Sequence, residues 1–449
     1  MDKELFVHRL TAFNNHGLTP VFDFIKTRYN KDVNNFKVNL IEDIEDFNKD
    51  NFNFIAIDFH EHEMENKNIS VLNREHIDLI NDDVAKLVID YSYEGEIYDR
   101  WFVNMHRFIK KNNIKASNIY FICNDQALDV NYEEWAKKFN ISNINIIKMN
   151  YHLTYPSGWY REHNLSRLDY RLDKIRPKKF TCLNGVFKEF RTLLVLELFK
   201  NELKDYGYIS IVGNYGGEFL SEFSLTGAID DASDYVDSVN FEKYLNDINL
   251  YYKNVLLPKL PIVTEIEKDL TFGKTIVDFY KNNRVDVDNW NRKISPYLTS
   301  SYVHEMYINS YFNIVTETSY NWGTRKGNLG ILGNCVYPTE KTFKPIFGMQ
   351  PFLVVTNPGF LSHLRDLGFK TFPEFFDESY DEVKNPIERF YIIINEIKKI
   401  CSLSNEELHN KYYSIFDKLE YNRNRLLEIS TNLDFVVGNL FDILKHENT

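Results

Sequence analysis

A chain of 449 residues is too long for one ordinary hydrophobic core, and at about 150 residues per domain it holds two or three. Hydrophobic residues make up 43% and charged residues 26%, a globular balance that excludes general disorder. The net charge of -12 argues against a protein that coats a nucleic-acid backbone or docks on an anionic membrane surface.

The 35 Phe and 29 Tyr predict cores built on rings. Cys123, Cys182, Cys335 and Cys401 are far apart and form no CxxC pair, so neither a disulfide framework nor a zinc cluster is expected. MDKELFVHRL lacks the basic segment and apolar core of a signal peptide. No apolar run approaches ~20 residues, the length that spans a bilayer. The reducing cytoplasm is the compartment these features predict.

In chain order, short apolar runs at residues 54–57, 87–89, 119–122 and 144–147 read as buried strands. Amphipathic stretches at 98–112 and 132–139 lie between them. Strands alternating with helices predict a parallel sheet covered on both faces, hence an N-terminal α/β domain over residues 1–160. Residues 151–177, rich in Tyr, Arg and His, read as an irregular connection. A second alternation follows: strand 179–184, helix 187–203, strand 208–212. Residues 213–295 show no regular pattern. A helix at 301–310, a strand at 312–316, a helix from Glu340 and a strand at 351–355 complete a second α/β domain, 178–385. The tail, 386–449, reads as helices packing back on the N-terminal domain. It holds a helix at 386–400, a capping box at Ser404 and Glu407 opening a long helix to about Ser430, and a last helix at 433–446.

Two segments carry chemistry. In the first, Glu317 falls just past a buried strand, where ligands of open α/β sheets bind. Thr339 reads as an N-cap, with Glu340 and Lys341 in the first helical turn. A helix N-terminus favours anions, so Lys341 suits a diphosphate, while Glu340 suits a ribose or sugar hydroxyl. The plainer reading is a capped surface helix with an incidental ion pair. Pro345 removes a helical hydrogen bond and predicts a short or kinked helix. In the second segment, KKFTCLNGVFKEFR, a strand ends at Asn184 and a helix follows at once. Arg191, near its start, has the fork geometry for a bidentate phosphate contact; alone, it reads equally as a solvated surface arginine. Other signals are weaker. VGNYGG at 212–217 is neither GxxxxGK nor GxGxxG and reads as a turn. Asp286 and Asp288 spell a metal-binding DxD without the strand that should precede it. His60 and His62 share a face only if a strand continues there. No metal site is expected.

Taken in order, the strand ending in Asn184, Arg191, FNIVTET, a Gly-rich loop, and TEK with a short helix and an apolar strand resemble the α1,3-fucosyltransferase family. The resemblance covers residues 178–215 and 311–372. Leu183 stands where the family has Ser, and Pro338 where it has Val. The loop 320–337 is longer than the family's, and the first 150 residues show no match. The resemblance implies the GT-B fold: two Rossmann-like α/β domains facing each other across a cleft, here with C-terminal helices. It also implies an inverting, metal-independent transfer from a GDP- or UDP-linked nucleotide sugar, a co-substrate rather than a cofactor. Asn184, Arg191, Glu340 and Lys341 would grip the donor and Glu317 would line its site. The run EKTFKPI is also similar to phage and environmental proteins.

An inverting transfer needs a base to deprotonate the acceptor hydroxyl. Asp58, Asp90 and Glu94 follow buried strands. Asp90 and Glu94 have the better context, Glu94 among aromatic neighbours that suit a sugar, although a solvated loop acid is an equal reading. The acceptor is expected to be a glycan or another hydroxyl compound. Rival readings are an enzyme that modifies hydroxymethylated phage DNA, with 155–176 its only basic stretch, and a catalytically inactive nucleotide-sugar-binding protein.

Overall fold

The computed structural model describes residues 3–10, 36–47, 52–58, 71–92, 95, 97–163, 170, 174–185, 188–211, 250, 252–256, 259, 262, 264, 302–320, 334–438 and 440. Glu94, His60, His62, Asp286, Asp288 and the glycines of 213–217 lie outside the described residues. The chain divides into two compact units. One is Met1–Thr154 with Asn328–Tyr337 and Ile429–Thr449; the other is Tyr155–Gly327 with Pro338–Glu428. Both are α/β, each built on a parallel sheet, as the alternation of apolar runs predicts. Among the described residues no helix is long and apolar enough to cross a membrane.

The first unit holds strands β1 (Lys3–Leu10), β2 (Phe36–Ile41), β3 (Phe52–Asp58), β4 (Lys86–Tyr91), β5 (Ile119–Cys123) and β6 (Asn145–Lys148). Their order across the sheet is β2-β1-β3-β4-β5-β6, and every pairing is parallel. All five residues of β5 are buried, because a parallel strand covered on both faces needs an unbroken apolar run. That is why β3 to β6 are legible in the sequence. β1 and β2 were not expected: β1 is KELFVHRL, whose apolar signal is interrupted by Glu4, His8 and Arg9. Helices α1 (Arg74–Asn81), α2 (Asp99–Asn112) and α3 (Leu128–Phe139) belong to this unit. α2 and α3 stop at Asn113 and Asn140, both left-handed, a conformation asparagine tolerates. Late segments of the chain complete the unit. The Asn150 N–H donates to Val436 O at 2.9 Å and its side chain to Phe435 O at 3.0 Å.

The second unit holds β7 (Lys178–Asn184), β8 (Gly207–Ile211), β9 (Ser310–Thr316) and β10 (Phe352–Val355), in the order β10-β9-β7-β8, all parallel. From β7 the chain goes outward to β8, then returns to the other side of β7 for β9 and β10. The space beyond the ends of β7 and β9 is therefore the sheet's topological switch point, where crossover loops diverge. Helices α4 (Pro156–His163), α5 (Glu189–Lys200), α6 (His304–Ile308), α7 (Glu340–Phe347), α8 (Phe360–Asp366), α9 (Pro386–Ser402), α10 (Asn405–Ser414) and α11 (Phe416–Thr431) follow in order. α9 starts where Asn385 caps it and Pro386 takes a first-turn position that needs no N–H. The capping box of Ser404 and Glu407 is formed.

Two expectations are corrected. The single long helix after Ser404 is two, α10 and α11, broken at Ile415; the break lets the adjacent Ile415 and Phe416 both face inward. Residues 151–177 are not wholly irregular: a 3-10 turn spans Tyr151–Thr154 and α4 follows it. Arg176, counted in that basic stretch, is buried in the second unit. Its guanidinium donates to Tyr307 O (2.9 Å), Ser310 O (2.6 Å) and Tyr170 O (3.0 Å), and lies 4.1 Å from the centre of the Tyr412 ring. Arg176→Met removes a charged donor from three buried carbonyls, of which Tyr307 O and Ser310 O keep Gln350 Nε2. It is expected to cost roughly 2 kcal/mol, read as a lowered urea midpoint, with Arg176→Lys falling between it and wild type.

Candidate functional site

The C-terminal edge of the second sheet gathers the residues singled out in that half of the sequence. Asn184 is the last residue of β7 and is buried. Its amide donates to Ser210 O at 3.1 Å, and its carbonyl accepts from Thr316 Oγ1 at 2.7 Å. One side chain thus ties β8, β7 and β9 together at the switch point.

Arg191 is the third residue of α5, as its position in the motif suggests, but it is not solvated. Only 2% exposed, its Nη2 donates to Glu317 O (2.9 Å) and Thr316 O (3.4 Å). The guanidinium binds α5 to the end of β9 and brings a buried positive charge there. It reaches the peptide backbone just past the strand because α5 starts only five residues after β7 ends.

Glu317 follows β9 directly and is buried. Its Oε1 accepts from Thr339 N (3.0 Å) and Thr342 Oγ1 (2.5 Å), and its Oε2 accepts from Thr339 Oγ1 (2.6 Å). Thr339 is the N-cap of α7, as expected, its hydroxyl accepting from Lys341 N. The anion that the helix N-terminus favours is therefore supplied from within. The Glu317 carboxylate is engaged in seating α7. Pro345 is tolerated because α7 has only eight residues and ends before Gly348, the short helix its proline predicts.

Lys341 then points where the carboxylate does not. Its Nζ lies 3.0 Å from Glu340 Oε1, 3.1 Å from Thr339 Oγ1 and 3.5 Å from Thr318 Oγ1. The Lys341 side chain is 27% exposed and that of its partner Glu340 only 4%. Lys188, the N-cap residue of α5, places its Nζ 2.6 Å from Thr318 O. Lys188 and Thr318 were not anticipated, although Lys188 stands inside the quoted KKFTCLNGVFKEFR. The signal was a cation at a helix start directly after a strand end. Lys188, Arg191 and Lys341 thus meet around residues 316–318, each contributing positive charge to one turn of backbone.

In the first unit, Asp90 lies within β4 rather than beyond it. Its carboxylate is buried and accepts from Ser92 N at 3.0 Å. Asp58 is the last residue of β3.

Removing the Glu317 carboxylate should unseat α7. Glu317→Ala is expected to lower stability by about 3 kcal/mol, since three donors lose their partner, and Thr342→Val by about 1 kcal/mol. Chemical denaturation of the two variants would show equal, small shifts if the lock is not formed.

No family model matches the chain, and no curated protein matches it. Two solved structures align along its length. One is alpha,alpha-trehalose 6-phosphate synthase from Burkholderia multivorans, with a TM-score of 0.40 and 7% identity over 100% of this chain and 98% of that one. The other is a glycosyltransferase from Rickettsia africae, with a TM-score of 0.30 and 11% identity over 94% of this chain and 100% of that one. Likenesses this distant carry no weight for activity, which rests on the residues.

Proposed function

We propose that this chain is a glycosyltransferase that moves a sugar from a nucleotide-sugar donor, GDP- or UDP-linked, to an acceptor hydroxyl, with inversion and without a metal. The observation that carries the reading is the meeting of Lys188, Arg191 and Lys341 at the switch point of the second sheet, on the edge where open α/β sheets take ligands. Breaking the glycosidic bond to the diphosphate leaves negative charge on the departing nucleotide. Fixed cations stabilise that charge more in the transition state than in the bound donor. Lys341, partly exposed and at the start of α7, is the proposed diphosphate contact. Lys188, also partly exposed, and the buried Arg191 add positive potential beside it. Glu340, held by Lys341, is the proposed acceptor for a donor hydroxyl. Asp90 and Glu94 of the first unit are the proposed bases; Glu94 is preferred, because the Asp90 carboxylate is buried against Ser92 N.

Lys341 gives the cleaner test, because Arg191 is buried and its removal also costs stability. Lys341→Ala should lower turnover on the active donor by about 10²-fold while shifting the melting temperature little. The donor itself is found by a thermal-shift screen of GDP-, UDP-, ADP- and CMP-linked sugars. A ligand at 100 times its dissociation constant stabilises by about 2.7 kcal/mol. Chelator should leave turnover intact. Unchanged turnover in Lys341→Ala, or no stabilisation by any nucleotide sugar, would sink the reading.

A further inference from the structure

Asp125 lies two residues past the end of β5 and is fully buried. Its Oδ1 accepts two backbone N–H groups: Ala127 N at 3.0 Å, which turns the chain into α3, and Val336 N at 2.8 Å, 211 residues away. Three further contacts hold the same late segment to the first unit. Gln126 N donates to Val336 O at 2.8 Å, Asn131 Nδ2 to Asn334 O at 3.3 Å, and Cys335 Sγ to Gly95 O at 2.9 Å. Gly95 is required here, because a Cβ on it would stand 2.3 Å from Tyr337 Cδ1. After Tyr337, Pro338 alone precedes Thr339, the cap of α7.

We propose that Asp125 is a positioning residue for the donor segment: by clasping Val336 it restrains the backbone that enters Thr339, Glu340 and Lys341. The inference rests on the donor reading of Lys341 given above. The restraint acts along the chain, since only three residues follow Val336 before Glu340.

The clasp is pH-dependent. Asp125 Oδ2 is buried beside the Cys335 thiol, whose Sγ also lies 2.9 Å from Gly95 O. Burial raises the Asp125 carboxyl to about 7. Asp129, on α3, pushes in the same direction, while the amides of Val336 and Ala127 and the Cys335 thiol pull it down. Cys123 also faces it, donating weakly to Asp125 O, and Lys148 pairs with Asp129 at 2.6 Å. When the clasp opens, the carboxyl meets water and returns toward its ordinary value near 4. Between those two values the closed form binds more protons than the open one. The clasp is therefore tightest at low pH, weakens as pH rises toward 7, and is constant above that.

Hydrogen–deuterium exchange on the full chain tests this at Val336, with intrinsic chemical rates divided out. Protection in wild type should fall by a factor on the order of ten or more from pH 5.5 to 8. Asp125→Asn keeps the accepting oxygen and should be flat across that range; Asp125→Ala should lose protection throughout. Gly95→Ala, which displaces Tyr337, loosens the same segment without touching the carboxyl and serves if the Asp125 variants fold poorly. Pyrophosphate is the second probe. Its affinity in wild type should fall with pH relative to Asp125→Asn, a comparison that cancels the probe's own ionisation, and Gly95→Ala should weaken it. Protection at Val336 that ignores both pH and Asp125→Ala overturns the clasp. A loosened clasp with unchanged pyrophosphate affinity, where Lys341→Ala does weaken that affinity, overturns the positioning role and leaves the donor reading standing. If Lys341→Ala itself has no effect, the donor reading fails and the positioning role with it, while exchange at Val336 still decides whether the clasp exists.

Discussion

A carboxylate buried at the end of a strand must find donors or lose its charge. At the end of β9 Glu317 finds three, all from the start of α7. The bonds fix where α7 begins, how its first turn is rotated and which face of that turn meets solvent. One of the three donors is the backbone N–H of the cap residue Thr339, so part of the favourable potential of the helix start is used internally. The same seating brings Lys341 Nζ to Thr318 Oγ1, beside Lys188. The seating of α7 and the placement of Lys341 are consequences of one buried acid.

The local charge differs from that of the chain. The molecule carries -12, yet around residues 316–318 three cations meet two carboxylates, Glu317 and Glu340, both buried. Long-range potential from the rest of the surface is screened within about 8 Å at physiological ionic strength. A small cluster at a sheet edge can therefore hold an anion that the average charge would repel. The same arithmetic explains why composition excludes coating a nucleic-acid backbone but leaves a nucleotide ligand open.

Legibility followed burial. β3 to β6 and β7 to β10 were read from the apolar residues a covered parallel sheet buries, although β7 and β9 also bury Thr181, Asn184 and Asn313. β1 and β2, with Glu4, His8, Lys37 and Asn39 among their few apolar residues, were missed. Around the site, positions were readable but exposures were not. Thr339 capping α7 and the shortening effect of Pro345 follow from local chemistry. That Arg191 is buried against Glu317 O, and that the Glu317 carboxylate serves Thr339 and Thr342, depends on how α5 and α7 pack against β9, contacts more than 20 residues apart in sequence. Local pattern gives a side chain's address and type, while its partners come only with the tertiary fold. Lys188 and Thr318 went unremarked for that reason, and so did Asp125.

Asp125 and Glu317 make an instructive pair, because each is a buried acid just past a parallel strand and each holds a segment of residues 334–342. Glu317 receives donors on both oxygens, two of them hydroxyls that reorient at little cost. Asp125 receives two rigid backbone amides on one oxygen, and burial of the other lifts its ionisation into the physiological range. The difference lies in donor geometry rather than in donor strength. The short run from Val336 to Thr342 is anchored by both kinds of acid, and Glu340 and Lys341 lie between the two anchors. Their placement therefore depends on the seat of α7 on one side and, on the proposal above, on the clasp of Val336 on the other.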